Sequence, residues 1–293
     1  MEEHDRLAER FEAHRTHLRA VAYRMLGSLS DADDAVQETW LRLSRAGTSG
    51  VENLGGWLTT VVGRVCLDML RSRASRREEP LELYVPDPVV SGMDGIDPED
   101  EALLTDSVGL ALLVVLDALA PAERLAFVMH DMFAVPFGEI ALLLGRSPNT
   151  AAQLASRARR RVQDAATPTA DLTRQREVVG AFLAATREGD LDGLLAVLDP
   201  DVVLRADAGA QAAGASKMVR GARTVAEQAL TFSRLAPFSE PALVNGTVGL
   251  LTARHGHPIA VMGFTITSGT IAEIYILADP ARLRRLGLAI PRD

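Results

Sequence analysis

The sequence predicts a multidomain chain: two all-α domains followed by an α+β domain. Three observations carry this expectation. Residues 4–75 and 105–165 repeat apolar side chains at helical spacing. Residues 76–104, RREEPLELYVPDPVVSGMDGIDPEDEALL, interrupt them with Pro, Gly and acid and keep no sustained period, as a flexible linker does. From residue 172 onward, helical segments give way to β-like runs separated by short turns, an α+β order.

Composition bounds what such a chain can do. Its 293 residues leave room for two or three domains, and 47% hydrophobic content supplies cores rather than global disorder. Aromatics are only 4%, which favours aliphatic, helical packing. The single cysteine, Cys66, excludes an intrachain disulfide, suits a reducing compartment and reads as core filler in VGRVCLDML. The charged opening MEEHDRLAER is no secretory signal, and no run reaches the ~18 apolar residues of a membrane span. The expectation is a soluble, intracellular protein with no membrane partner. Metal constellations, P-loops and dinucleotide fingerprints are missing, so no cofactor is expected.

The formal charge of −8 is unevenly placed. It falls within residues 1–165, where 18 Arg face 26 acidic residues, while residues 166–293 are balanced. A protein that simply coats DNA would be basic overall. This one needs a second partner that accepts carboxylates, with cationic surface kept for local use.

In the first domain, one long helix runs to about Leu26 and a second starts near Asp31, with Ser30 in the N-capping position. Ala32, Ala35, Val36, Trp40 and Leu43 form its inward stripe, leaving Asp33, Asp34, Gln37 and Glu38 outside. A third helix from about Gly56 buries Trp57, Leu58, Val61, Val65 and Leu70. It turns Arg64, Arg71, Arg73, Arg76 and Arg77 toward solvent or phosphate. The second helical domain ends in FGEIALLLGRSPNTAAQLASRARRRV. Ile140, Ala141 and Leu144 face one way, Gly145 permits a tight turn, Ser147 caps, and Pro148 opens the next helix. Ala151, Ala155, Ala158 and Val162 then face inward. Asn149, Thr150, Ala152, Gln153, Ser156, Arg157 and Arg160 are left toward the outside. Asn and Gln pair with adenine edges and Arg with guanine or phosphate, so this helix suits DNA.

After a boundary at ATPTAD (166–171), helical segments at 172–198 and 221–235 flank a strand near 201–206. PALVNG with TVGLLTAR, PIAVMGFTIT and TIAEIYILAD follow as an antiparallel set, joined by turns at HGH and SG. Asp199, Asp201, Asp207, His255 and His257 are the candidate acid–base groups here. The histidines flank a turn glycine and the first two aspartates bracket Pro200, which leaves Asp207 as the one of interest.

These motifs resemble a known family. ALAPAERLAFVMHDMFAVPFGEIALLLGRSPNTAAQLASRARRRV is similar to domain 4 of bacterial extracytoplasmic-function (ECF) sigma factors, with Pro121, Arg124, Glu139, Ile140, Ala141 and Gly145 in place. It departs from many relatives in carrying Ala152 where they carry a basic residue. DADDAVQETW resembles the domain 2 segment that binds the coiled coil of the polymerase clamp, which implies that Asp33, Asp34, Gln37 and Glu38 meet core RNA polymerase. GGWLTTVVGRVCLDMLRSRASRR is similar to the element that melts and captures the −10 region, implying contacts from Arg64, Arg71, Arg73 and Arg76; Gly63-Arg64 stands where the family's common pair is Arg-Asn. REVVGAFLAATREGDLDGLLAVLDPDVVLRAD resembles the start of a SnoaL-like (ketosteroid-isomerase-like) cone, and the combination resembles sigma-J-type factors.

The resemblance implies four parts: sigma domain 2 at 1–75, a hinge at 76–104, sigma domain 4 at 105–165 and a regulatory SnoaL-like domain at 172–293. It implies a promoter-recognition subunit that binds core polymerase and promoter DNA without catalysis of its own. In RADAGA, Asp207 opens a glycine-rich family motif reduced here by alanines at 208 and 210. ADPARLRRL is similar to an element implicated in regulation, so Asp207, Asp279, Pro280 and Leu283 mark a regulatory interface or pocket. The sequence leaves open a separate anti-sigma partner. Two other readings remain at this point: a helix-turn-helix regulator with a small-ligand-sensing domain, and a SnoaL-like enzyme fused to a DNA-binding arm.

Overall fold

The computed structural model describes residues 2–46, 51–76, 84–93, 109–163, 171–209 and 216–288. The chain divides into two compact units. The first holds residues 1–79, 101–106 and 115–164, and the second holds 80–100, 107–114 and 165–293.

The first unit is all-α. Helices α1 (Glu2–Leu26), α2 (Leu29–Ala46) and α3 (Leu54–Arg76) pack around Phe11, Leu18, Met25, Leu43 and Leu58. Helix α2 begins two residues before the expected start, so Ser30 lies inside it. The capping hydroxyl belongs to Ser28, whose Oγ accepts from the Asp31 amide at 3.4 Å. Trp40 is half-buried, stacked at a tilt on Phe11, and Trp57 and Val61 are also half-buried rather than core. Thr39 takes an unforeseen buried place by donating to the Ala35 carbonyl at 2.8 Å.

Helix α4 (Leu110–Asp117) precedes α5 (Pro121–Phe127), a π turn (Val128–Met132), α6 (Phe137–Leu144) and α7 (Pro148–Gln163). Arg124 on α5 is buried; it donates to Asp117 at 3.0 Å and to the Arg24 carbonyl at 3.3 Å. Helix α3 packs on α5 and α6 at Gly63, where an added Cβ would stand 2.9 Å from Met129 Cε. Glycine in a helix interior costs ~1 kcal/mol relative to alanine, so its presence marks this close approach. The ring of Phe133 lies edge-on to His17 and 5.1 Å beneath the Arg24 guanidinium.

The second unit is a sheet with helices packed against one face, its inner face. Helix α8 (Leu172–Glu188) stops at Gly189, whose positive φ of 75° ends the helix, and α9 (Leu191–Val197) follows. The single helical segment expected over 172–198 is therefore two helices running straight into strand β2 (Leu198–Asp207). Strand β3 (Lys217–Arg220), unforeseen, pairs with β2, and α10 (Ala222–Thr231) is succeeded by a 3-10 turn at Ser233–Phe238. Strands β4 (Ser239–Val244), β5 (Thr247–Arg254), β6 (His257–Thr267) and β7 (Thr270–Leu277) form a meander. Its turns pair a positive-φ residue with glycine at Asn245-Gly246, His255-Gly256 and Ser268-Gly269, the geometry of tight primed hairpins.

Among the described residues the strand order is β1-β4-β5-β6-β7-β2-β3. The β2–β7 pair is parallel, so the sheet is mixed rather than antiparallel as expected. A connection through α10 and the meander returns the chain beside β2 in the same direction, which no hairpin signal could reveal. Short helix α11 (Pro280–Arg285) closes the domain.

Strand β1 is the main departure from expectation. It is Val90–Ser91, in the segment read as a flexible linker, and it pairs with β4 through Val90↔Val244 and Ser91↔Leu243. Residues 85–89, VPDPV, are all buried. Prolines at 86 and 88 bias Val85 and Asp87 to extended backbone, so little conformational entropy is lost on docking. The remainder of the expected linker, 77–83 and 94–104, lies outside the described residues, as do Arg77, residues 166–170 and Ala210.

Candidate functional site

The helix-turn-helix is assembled as its local chemistry requires. Gly145 has φ 62° and ψ 40°, and its amide and that of Arg146 cap α6. Ser147 Oγ accepts from the Thr150 amide at 3.2 Å and meets the Thr150 hydroxyl at 2.9 Å. Ala151, Ala155 and Ala158 are fully buried, which brings α7 close against α5 and α6. Asn149, Gln153, Ser156, Arg157 and Arg160 are exposed together on the opposite face, and Ala152 is half-buried beside them.

The arginines at the end of α7 divide into two pairs. Arg159 is folded back onto Asp131, with Nε at 2.8 Å, and Arg161 reaches Glu123 at 3.3 Å. Arg157 and Arg160 form no ion pair among the described residues. Thr150, occupied by Ser147, serves the cap rather than presenting a free hydroxyl.

On the first domain, Asp33, Asp34 and Gln37 are exposed and Glu38 is half-buried. Asp33 accepts from Arg19 at 2.7 Å and Glu38 from Arg42 at 3.0 Å, both near the surface. Exposed pairs of this kind are worth ~0–1 kcal/mol and can be exchanged for an external cation. Arg64 and Arg71 are exposed on α3. Arg73 is not: it ion-pairs with Asp31 and donates to the Leu26 carbonyl at 3.1 Å, tying α3 to the α1–α2 corner. Arg76 ends α3.

The second unit gathers the four predicted regulatory residues around one that the sequence reading missed. Asp279 caps α11 by accepting from the amides of Ala281 and Arg282 at 2.8 and 3.3 Å, Pro280 opens the helix, and Leu283 is buried beneath it. This aims Arg282 at the docked segment. Its Nη1 donates to Asp207 and its Nε to Asp87, both at 2.7 Å, its Nη2 donates to the Val85 carbonyl at 2.6 Å, and its plane covers Tyr84 at 4.7 Å. Asp207 also accepts from the Val85 amide at 3.1 Å. Burial opposes the Arg282 charge, yet Tyr84, Asp87 and Asp207 outweigh it and hold the guanidinium above its ordinary pKa.

Further along, Val89 and Asn245 exchange two bonds: the Val89 amide to Asn245 Oδ1 at 3.1 Å and the Asn245 amide to the Val89 carbonyl at 2.8 Å. Gly209, the glycine kept between alanines 208 and 210, is where the fold needs one. Its φ is 78°, and an added Cβ would lie 2.5 Å from the Asp279 carboxylate. Basic Arg282 was present in ADPARLRRL, but only tertiary contact distinguishes it from Arg284 and Arg285.

The acid–base candidates do not converge. Asp199 caps the Asp201 amide at 2.9 Å, and His255 occupies a hairpin turn. Asp207 is committed to Arg282 and the docked segment.

Two helical modules, one ending in a helix-turn-helix, with an acidic face on α2 and cationic faces on α3 and α7, define a sigma-70-type transcription initiation factor. Sigma-70 region 2 matches residues 10–76 and sigma-70 region 4 matches residues 109–162. The chain is 41% identical to the ECF RNA polymerase sigma factor SigJ of Mycobacterium tuberculosis, over 92% of this chain and 91% of that protein. It is 36% identical to the probable ECF RNA polymerase sigma factor SigI of the same organism, over 97% of each. The crystal structure of Mycobacterium tuberculosis SigJ superposes with a TM-score of 0.77 at 36% identity, covering 96% of this chain and 100% of that one. The chain belongs to the ECF RNA polymerase sigma factors. Members of this family are initiation factors rather than enzymes.

Proposed function

We propose that this chain directs RNA polymerase to promoters in the cytoplasm and that its C-terminal domain governs this in cis by holding the segment that joins the two promoter-reading domains. Asn149 and Gln153 would read base edges of the −35 element, flanked by Ser156, with Arg157 and Arg160 on phosphate. Exposed Arg64 and Arg71 are the candidates for the −10 strand, where cationic grooves and single-stranded bases meet. Asp33, Asp34, Gln37 and Glu38 present the carboxylate face suited to a cationic patch on core polymerase. Thr150 and Arg73 have structural duties that make them weaker candidates than the sequence suggested.

The observation that carries the cis reading is the docking of residues 84–91. A free segment between the domains would let them adopt many separations, whereas a pinned one leaves less chain to span the two promoter elements. The consequence is measurable with holoenzyme and promoters whose −35 to −10 spacer is lengthened or shortened base pair by base pair. Wild-type initiation should fall sharply on either side of one spacer length, and Arg282→Ala should flatten that profile. Identical profiles for the two proteins would refute the cis reading. Separately, Asp33→Arg combined with Asp34→Arg should abolish capture of core polymerase while leaving the fold intact; retained capture would remove the acidic face from the polymerase contact.

A further inference from the structure

The second unit encloses a cavity of ≈ 320 Å³ between α8, α10 and the inner face of the sheet, within the range of small-molecule sites. Phe182, Leu204, Leu250, Met262, Ile274 and Ile276 are among the apolar side chains that line it. The hydroxyls that reach it are already satisfied: Thr186 donates to the Phe182 carbonyl at 2.8 Å, and Ser239 and Thr252 bond each other at 2.7 Å. The Gln228 amide donates to Thr231 at 3.0 Å.

One charged group remains on the lining. Lys217, the sole lysine of the chain, opens β3 opposite Ala206, and this register sets it on the same inner face as that alanine. Among the described residues no carboxylate pairs with it. Its ammonium stands 5.6 Å from the centroid of Phe232, a large aromatic side chain left 53% exposed. An apolar chamber with a single cation and an exposed aromatic along its lining has the chemistry of an amphiphile site. The acid–base candidates Asp199, Asp201, Asp207, His255 and His257 are not among the lining residues, so the arrangement suits binding rather than turnover.

We propose that this cavity binds an aliphatic carboxylate, with the head group at Lys217 and the alkyl chain against Phe182, Leu204 and Ile274. The ion pair would form where low-dielectric walls limit screening, and each buried methylene should tighten binding roughly fourfold. This assignment is independent of the linker reading, since it concerns occupancy of the cavity alone.

Titration calorimetry of the full chain with octanoate, decanoate and decanol tests it. Decanoate should bind one per chain, about tenfold or more tighter than octanoate, which is two methylenes shorter. Decanol, of equal length and without charge, should bind at least tenfold more weakly than decanoate. Lys217→Met should bring decanoate down to the decanol level and leave decanol unchanged, with circular dichroism confirming the fold. Ala206→Leu, which places side chain inside the cavity, should weaken both ligands. Absence of decanoate binding, equal affinity for decanoate and decanol, or full decanoate affinity in Lys217→Met would each overturn the proposal.

Discussion

Replacing Arg282 with alanine probes how the segment at 84–91 is held. The guanidinium donates to Asp87, Asp207 and the Val85 carbonyl, and the two carboxylate side chains are only 8% and 11% exposed. Alanine leaves both carboxylates buried beside one another without their shared cation. Breaking a buried pair from one side costs ~3–5 kcal/mol, because the remaining carboxylate loses its buried cation. The chain can relieve this by releasing the segment, since undocking lets Asp87 reach water. Local opening should therefore become more favourable by about two to three and a half orders of magnitude, at ~1.4 kcal/mol per factor of ten. Native-state hydrogen exchange reads it directly at the amides of Val85, Val89 and Asn245, which are bonded only while the segment is docked. Amides in the β5–β6 ladder serve as the internal reference. Arg282→Lys, which keeps charge but loses the planar fork, should fall between alanine and wild type. If protection at Val85 and Val89 in Arg282→Ala stays within tenfold of wild type, the clamp is not what holds the segment.

Three further outcomes are expected. Gly63→Leu should destabilise the first unit by ~1–3 kcal/mol, lowering Tm by about 2–4 °C per kcal/mol, because the side chain must displace Met129. Gly63→Ala should be nearly neutral by calorimetry, since the Met129 methyl can move and alanine favours the helix. In holoenzyme binding to a promoter duplex, Arg157→Ala with Arg160→Ala should reduce the salt dependence by a slope of about 2, whereas Arg159→Ala should leave the slope intact. Burial pushes the Cys66 thiol to about 12, so a thiol reagent at pH 8 should label the native protein negligibly and the urea-unfolded chain stoichiometrically. Rapid labelling of native protein would contradict that placement.

Helix α7 was legible because each of its signals is local. Gly145, Ser147 and Pro148 specify a turn within four residues, and alanines at helical spacing identify the buried face before any partner is known. The same locality explains the hairpins at His255-Gly256 and Ser268-Gly269, whereas the turn at Asn245-Gly246 divides into two strands a stretch read as one run. Relative burial was less legible: Ser28 rather than Ser30 caps α2, and Trp57 is half-buried. Such differences depend on what a neighbouring helix covers. Gly63 was read as a departure from a base-reading pair, and the packing of Met129 against it emerged only in the structure.

The sequence by itself determined the helices and hairpins, the inward and outward faces, and the family to which they belong, because periodicity, caps and turn residues act over a few positions. Only the tertiary structure decided that 84–91 is docked, with 85–89 buried and Val90–Ser91 paired to β4, that β2 runs parallel to β7, and that Arg282 is the residue at the centre. Asp87 and Arg282 are 195 residues apart, and a proline-rich extended segment carries no hydrophobic period of its own. Its order comes from an edge strand, an amide side chain and a guanidinium supplied by the far end of the chain.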